Sequence, residues 1–219
     1  MRKFARALCK LSVMLMPMLG ASQAGAAVIF NGGAPNLNSF FYADTDYAYT
    51  TAAENFTLQP GAATVTDAHW WGACTAEGNN CPAGNFTLAF YNDNAGSPGT
   101  LIQSFSVGNA NQTATGNFFS FGPTEYAYSA NFGPLALTAG TNYWFAVSNT
   151  NNDLNTTWGM ETTSAGDHAQ FLTGTGWTTQ DANLAFNLTN DNNNVPEPGS
   201  LALLGLGLAG LSGLRRRKA

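Results

Sequence analysis

The sequence predicts an all-β body over residues 27–194, an antiparallel β-sandwich of jelly-roll type with about ten strands. Three observations lead to this fold class. Short apolar runs alternate with polar residues at a period of two, which is typical of a half-buried strand. Clusters of Asn, Gly, Pro, Thr and Asp separate these runs, and such residues favour turns. No segment of the body has the apolar periodicity of an amphipathic helix.

Each apolar run bounded by turn residues predicts one strand. The longest turn signal is Asn92–Gly99, in which Asn and Gly tolerate positive φ and Pro98 presets a turn. In chain order, the predicted strands are Glu54–Leu58, Ala63–Gly72, Asn85–Tyr91, Leu101–Val107, Gly116–Phe121, Glu125–Phe132, Asn142–Ser148, Asn155–Met160, His168–Thr173 and Asn183–Leu188.

The segment before the body, residues 1–26, has the layout of a secretory signal peptide. Met1–Lys10 is cationic, Leu11–Leu19 is apolar, and Ala24-x-Ala26 is a small-residue pattern that suits cleavage by signal peptidase after Ala26. A run of about nine apolar residues is too short to span a bilayer, since a spanning helix needs about 20. We therefore expect export of the chain and removal of this segment.

The segment after the body, residues 195–219, combines three blocks. The motif Val195, Pro196, Glu197, Pro198 precedes an uncharged helix-forming stretch, Ser200–Leu214, and a basic tail of Arg215, Arg216, Arg217 and Lys218. At about 1.5 Å per residue such a helix reaches roughly 22 Å, short of the ~30 Å hydrocarbon core. A transient stop in the inner membrane suits this length, with the basic tail on the cytoplasmic side.

These three blocks resemble the PEP-CTERM sorting signal of exported bacterial proteins, which the membrane enzyme exosortase recognises. The resemblance implies that Pro196, Glu197 and Pro198 form the recognition segment, that the helix and the arginines hold the motif at the membrane, and that the tail is then removed. Two prolines keep such a segment extended, and Glu197 resists burial in lipid. Cell surface or an extracellular polysaccharide matrix is the implied destination. An ordinary tail anchor behind a Pro-rich linker is the alternative.

Charge divides the chain into basic ends and an acidic middle. All 8 Lys and Arg residues lie in the first ten or the last five positions, whereas all 13 acidic residues fall between Asp44 and Glu197. The body therefore cannot neutralise phosphates, and nucleic acid is excluded as a partner. Salt-bridge networks are excluded as well, so packing and hydrogen bonds must hold the fold.

Cys74 and Cys81 are the two cysteines of the body, and in an exported protein their simplest state is one disulfide across a short loop. A two-thiolate metal site is the alternative, but no further ligands have suitable spacing.

The sequence predicts no cofactor and no metal. Asp67-x-His69 on one strand face is either a pair of metal ligands or incidental, and the Asn92–Gly99 loop is a calcium candidate that turn chemistry also explains.

Tryptophans are the candidate ligand-binding residues: Trp70, Trp71, Trp158 and Trp177. Strand alternation places Val65, Asp67, His69 and Trp71 on one side and Thr66, Ala68 and Trp70 on the other, so one of the adjacent tryptophans faces outward. The same alternation separates Trp144 from Tyr143, Phe145 and Val147. An outward tryptophan beside Asn and Asp could stack on sugar rings. The alternative is ordinary core packing.

Catalytic signals are sparse, and we expect a protein that is not an enzyme. Only His69 and His168 could serve as a histidine base, and no nucleophile motif or HExxH accompanies them. The sequence predicts an exported structural or adhesive component of the cell surface or matrix. A lectin-like carbohydrate-binding module is the first alternative, and a secreted hydrolase is the second.

Overall fold

Strands account for the regular structure of the described part of the chain. The computed structural model describes residues 27–46, 50–75, 81, 84–151, 155–166, 169–173 and 176–190, with the backbone alone for 170–173. These residues all belong to one unit, Gly25–Asn193. The predicted signal peptide, residues 1–26, and the predicted sorting segment, residues 195–219, lie outside the described residues.

The strands in chain order are β1 Val28–Asn31, β2 Pro35–Tyr42, β3 Thr51–Thr57, β4 Thr64–Thr75, β5 Asn85–Asp93, β6 Pro98–Gly108, β7 Asn111–Phe118, β8 Thr124–Ala136, β9 Asn142–Thr150, β10 Thr157–Thr163, β11 Gln170–Thr173, β12 Gly176–Thr179, β13 Asn183–Leu184 and β14 Phe186–Thr189. In the described ranges no helix has the length and apolar character needed to cross a bilayer. The predicted helix Ser200–Leu214 lies outside those ranges.

Two antiparallel sheets form a sandwich. Sheet A follows the order β1-β14-β4-β10-β13, with β2 paired to β10, β8 paired to β4 and β7 paired to β8. Sheet B follows the order β12-β11-β3-β9-β5-β6. The first and last strands are neighbours, since Val28 lies opposite Thr189. The predicted all-β, antiparallel sandwich is confirmed.

Several strand predictions need correction. β1, β2 and β12 were not predicted, because none of these segments shows a clear alternation of apolar and polar residues. The segment Gly116–Phe121 is not a strand as a whole, since β7 ends at Phe118 and a turn follows. The single strand expected over Asn183–Leu188 is divided at Ala185 into β13 and β14.

Aromatic rings fill the core between the sheets. Trp70 stacks on Tyr128, with ring centroids 5.7 Å apart, and Phe86 meets Trp158 edge to face at 5.0 Å. Aromatic rings bury large apolar areas and therefore dominate the stability of a core. Stacked and edge-to-face contacts between the rings add to the free energy gained by that burial. The predicted separation of Trp70 from Trp71 is confirmed, because Trp70 is fully buried while Trp71 is partly exposed.

The prediction that Val65 shares a face with Trp71 is wrong. Val65 belongs to the same core cluster as Trp70. The pairing of β4 with β8 shifts register between Val65 and Asp67, and such a bulge inserts one residue and reverses the side on which later residues point. Alternation counted from Trp70 back to Val65 therefore fails at this shift.

The predicted disulfide between Cys74 and Cys81 is confirmed. Their Cα atoms lie 5.2 Å apart, within the usual range for a bridged pair. Cys74 is buried at the end of β4, and Cys81 packs against the core cluster. The bridge closes the loop that follows β4.

Buried carboxylates connect segments that are far apart in the sequence. Asp44 accepts a hydrogen bond from the backbone N–H of Trp158 at 3.1 Å, and Glu54 accepts one from Leu184 at 2.8 Å. Hydrogen bonds to charged groups are stronger than neutral ones. Because the body contains no Lys or Arg, backbone amides take the place of cationic partners at these sites.

Candidate functional site

Two of the four candidate tryptophans are unavailable to a ligand. Trp70 has no exposed surface and Trp158 is 1% exposed, and both belong to the core. The prediction of these two residues as a sugar-stacking surface is therefore corrected. Trp158 is buried because every residue of β10 is buried, on both faces of the strand.

Trp71 and Trp177 remain partly exposed, on different sheets. Trp71 lies on β4 in sheet A, opposite Ala127 of β8. Trp177 lies on β12, the short edge strand of sheet B, opposite Leu172. The structure therefore does not gather the candidate tryptophans into one surface, and each must be considered with its own neighbours.

Trp177 belongs to a group of three aromatic and two polar residues on the outer face of sheet B. We call this group the sheet B platform: Asn55, Tyr91, Asp93, Trp144 and Trp177. The rings of Tyr91 and Trp177 meet edge to face, with centroids 5.7 Å apart. Both side chains pack against the buried cluster of Ala53, Ala89, Ala146 and Trp144, in which Trp144 is 1% exposed. The platform therefore has a buried indole as its floor and two partly exposed rings above it.

A row of alanines explains why the platform forms here. Ala53, Ala146 and Ala89 lie side by side on β3, β9 and β5, and all three are buried in the same cluster as Trp144. Methyl side chains leave space above the sheet that large rings can fill. The next row contains Asn55, Trp144 and Tyr91 in register. The register of the three strands therefore places a row of small side chains next to a row that contains two aromatic rings.

Polar contacts fix the rim of the platform. The indole Nε1 of Trp144 donates to Asp93 Oδ1 at 2.8 Å. Asp93 also accepts from the backbone N–H of Gly96 at 3.2 Å, so the end of β5 holds its exposed carboxylate in place. Burial raises the pKa of Tyr91, which keeps its hydroxyl protonated and able to donate. Stacking rings beside a fixed acceptor are the groups that sugar-binding surfaces use.

Sequence reasoning found Trp177 but missed Tyr91 and Asp93 as its neighbours. The separation of Trp144 from Tyr143, Phe145 and Val147 is confirmed, since those three side chains lie in the main core and Trp144 in the outer cluster. Strand order was the missing information. Tyr91 and Trp144 meet only because β5 and β9 are neighbours.

Asp67 and His69 lie on one side of β4, as their spacing predicts. Asp67 Oδ2 is 3.1 Å from His69 Nε2, and the carboxylate is buried while the imidazole is partly exposed. A metal site would need further ligands. Among the described residues no three or more His, Cys, Asp or Glu side chains come together, and His168 is outside them.

Only residues 94–97 of the predicted Asn92–Gly99 loop form the tight turn between β5 and β6, and its other residues belong to these two strands. Asn94 N–H donates to Ser97 O at 2.8 Å, and Ala95 and Gly96 both have positive φ, at 54° and 83°. Two consecutive residues with positive φ are typical of a hairpin turn. The carboxylate of Asp93 is engaged by Gly96 and Trp144, so turn chemistry accounts for the acidic and Asn-rich character of this loop.

A small cavity of about 170 Å³ opens beside β3 and the loop after β10. Its lining includes Phe30, Glu54, Gly166 and Asn183. Glu54 is committed to the backbone N–H of Leu184. The cavity therefore offers one carboxylate that already has a structural partner, and it brings together none of the candidate site residues.

Comparison with protein families identifies a PEP-CTERM protein-sorting motif at residues 194–218. This match contains Val195–Pro198 and the basic tail Arg215–Lys218, and confirms the resemblance drawn from those blocks. No curated protein sequence matches the chain. Among solved structures, the chain is similar to the cysteine protease and lectin-like domains of Cwp84, a surface layer associated protein of Clostridium difficile, with a TM-score of 0.42 and 11% identity. That similarity covers 64% of this chain and 31% of that one, so the chain spans less than a third of its length.

Proposed function

Because its PEP-CTERM motif marks this chain as an exported protein that exosortase sorts to the cell surface, we propose that the β-sandwich is a structural or adhesive component of the cell surface or of an extracellular polysaccharide matrix. The motif is the observation that carries the proposal. In the proposed route, signal peptidase removes residues 1–26, and Ser200–Leu214 with Arg215–Lys218 holds the chain briefly in the inner membrane. Exosortase then removes the tail at the sorting motif.

The folded body supports an extracellular role. A disulfide links Cys74 to Cys81, and such bonds persist in oxidising compartments outside the cytoplasm. The acidic body resists association with anionic surfaces, so attachment through neutral sugars or through other proteins suits it better than attachment to nucleic acid or lipid. We propose no enzymatic activity and no cofactor for this protein.

Intact-mass measurement of the exported protein tests the route. The unaltered chain should lack both its first 26 residues and its basic tail when recovered from the cell surface or medium. Replacing Pro196 and Pro198 by Ala should leave the tail attached and the protein with the membranes. The matched control replaces Pro60 and Pro134, which are exposed prolines of the body, and should process normally. Full-length chains with both ends uncut in the cytosol would overturn the route.

An assay of cell cohesion tests the structural or adhesive role separately. Cells without the protein should aggregate or attach to surfaces more weakly than parent cells, and the unaltered protein should restore this property. The Pro196 and Pro198 variant should restore it poorly, because its chain does not reach the surface. Equal cohesion of all these cells, with normal sorting of the protein, would contradict the adhesive role and leave the route intact.

A lectin-like function is the second candidate, and the sheet B platform favours it. Tyr91 and Trp177 present partly exposed rings 5.7 Å apart beside the fixed carboxylate of Asp93. A sugar ring could stack on either aromatic face while a hydroxyl donates to Asp93.

A glycan-binding panel with two tryptophan variants tests this candidate. Trp177→Ala should reduce affinity for the bound glycan by about tenfold or more, which corresponds to about 1.4 kcal/mol. Trp71→Ala is the matched control, because Trp71 is also partly exposed but lies on sheet A. Absence of binding to any glycan by the unaltered protein, or equal losses in both variants, would exclude the platform as a sugar site.

A further inference from the structure

The strand β6 forms an open edge of sheet B. Within the described strands it pairs only with β5, and it stands at the end of the sheet order. Its eleven residues, Pro98–Gly108, would extend roughly 37 Å at 3.4 Å per residue. The other edge strands are shorter, since β7 and β2 have eight residues, β12 and β1 have four, and β13 has two.

Proteins usually protect such an edge with lysines, with prolines inside the strand or with bulges. β6 contains no charged residue, and its one proline, Pro98, is at the first position. Lysine is missing from the whole body. Three register shifts interrupt the ladder with β5, but between them Gln103–Ser106 pairs regularly with Thr87–Phe90. An unprotected stretch of edge therefore remains.

Side chains on this stretch are suited to pairing. Phe105 points into the sandwich and stacks on Phe132 at 4.6 Å, which anchors the strand to sheet A. Gln103, Ser104 and Ser106 are exposed, and so is the nearby Leu101 at 49%. The carbonyl of Ser104 accepts a hydrogen bond from the side-chain Nε2 of Gln103 at 3.0 Å, a local donor where a neighbouring strand would otherwise supply one.

We infer that β6 is an interface at which two copies of this chain join, edge to edge, into one continuous antiparallel sheet. An antiparallel pair of identical strands is related by a two-fold axis, the commonest symmetry of protein dimers. Backbone hydrogen bonds supply the affinity, as in other strand-addition complexes.

A second copy suits this edge because its own β6 is an extended, uncharged strand of the same length, and charge does not oppose pairing there. Copies of this acidic body repel one another over most of their surface, because no described residue of the body is Lys or Arg. β6 carries none of that charge, so repulsion between copies is weakest where two β6 strands meet. The strand that best matches an uncharged, polar edge is then β6 itself. Sorting of all copies to one surface would also raise their local concentration.

This interface extends the proposed structural role but does not depend on it. The test is sedimentation of the purified exported protein over a range of concentrations at low and high salt. We expect a monomer that converts to a dimer as concentration rises, and more readily at high salt, because salt screens the repulsion between acidic copies. A protein that remains monomeric at every concentration and salt level would overturn the interface, yet it would leave surface sorting untouched.

Paired variants locate the contact. Replacing Ser104 and Ser106 by Glu adds two negative charges to the β6 strand of each copy, so like charges meet in the interface and association should weaken by more than about tenfold. The control replaces Asn85 and Asn92 by Glu, which adds the same charge at exposed positions of β5, one strand inward. Equal weakening in both variants would contradict the β6 interface.

Hydrogen exchange supplies a readout that does not rely on the variants folding normally. In the unaltered protein, amides of Gln103–Ser106 should become more protected as concentration rises, while amides of β12 at the opposite edge should not change. Protection that appears elsewhere and not in β6 would place the dimer contact at another surface and overturn the inference.

Discussion

The carboxyl groups of Glu161 on β10 and Glu125 on β8 are both buried and interact electrostatically, and each keeps one oxygen, Glu161 Oε2 and Glu125 Oε1, without a hydrogen-bond donor. Two buried, ionised carboxylates repel each other, so the folded state favours a proton on Glu161. Burial raises the pKa of Glu161 to about 8, and Glu125 adds to the rise although the backbone N–H of Leu37, 2.6 Å from Glu161 Oε1, opposes it. Thr115 and Asn117 donate to Glu125 from β7.

This proton makes stability depend on pH. The folded pKa of about 8 lies above the ordinary value of 4.5, so the folded state keeps a proton that the unfolded chain loses. The stabilising contribution is complete below about pH 4.5, declines as pH rises toward about 8, and is gone above it. One proton gives a slope of up to about 1.4 kcal/mol per pH unit. Urea unfolding across this range should show the decline.

The variant Glu161→Gln tests whether the proton on Glu161 causes the pH dependence of stability. An amide is uncharged and accepts from Leu37 at every pH, so the decline in unfolding free energy between about pH 4.5 and 8 should flatten. Asp181→Asn, at an exposed acid, is the control and should keep the original profile. A Glu161→Gln profile as steep as that of the unaltered protein would show that the proton resides elsewhere.

Reduction of the disulfide should lower the unfolding free energy by about 2 to 3 kcal/mol, from the chain entropy of a short loop. Residues 74 and 81 are separated by seven positions. Thermal unfolding with and without a reductant measures the change. A variant with both cysteines replaced by Ala should match the reduced protein and show no further response to reductant. A response in that variant would point to an effect other than the bridge.

Gly72→Ala should destabilise the fold by about 1 to 3 kcal/mol or more, because the added methyl has no space. A Cβ at this position would lie 2.4 Å from the carbonyl oxygen of Gly159 and 2.8 Å from the ring of Trp158. Gly133→Ala is the control, since its nearest neighbour is Phe105 at 3.9 Å. Equal unfolding midpoints in urea for the two variants would contradict the packing described between β4 and β10.

Acrylamide quenching should distinguish the five tryptophans by exposure. Trp70, Trp144 and Trp158 are buried, and Trp71 and Trp177 are partly exposed. Replacing Trp71 and Trp177 together by Phe should remove most of the quenchable fluorescence. Replacing Trp144 alone by Phe should leave the quenchable part of the fluorescence unchanged. Strong quenching in the double variant would mean that the sandwich opens more readily than its packing implies.

Local pattern was enough to predict the fold class but not the contacts of the site. Alternation predicted that Trp70 and Trp71 face opposite sides of β4, without showing which one is buried, and it separated Trp144 from its neighbours on β9. It failed at Val65, where a bulge reversed the count, and at Trp158, because β10 is covered on both faces although its Thr and Glu residues suggest an exposed strand.

Contacts between distant strands could not be predicted from one sequence. Glu125 and Glu161 are 36 positions apart, on strands that both pair with β4. Tyr91 meets Trp177 although their strands, β5 and β12, are not neighbours in sheet B. Period and turn residues specify a strand and its faces, whereas the order of strands depends on the complete set of long-range pairings.

The neighbouring positions of β1 and β14 set an order of events for a polypeptide delivered from its N-terminus. Val28 can pair with Thr189 only after nearly the entire body has been delivered. The backbone N–H of Asn190 then donates a hydrogen bond to the carbonyl oxygen of Ala27 at 3.2 Å. The larger sheet therefore closes last, after passage through the secretion machinery. The two ends of the described chain, Ala27 and Asn190, therefore lie at one corner of the sandwich, so a change at either end acts on the same few ladder contacts.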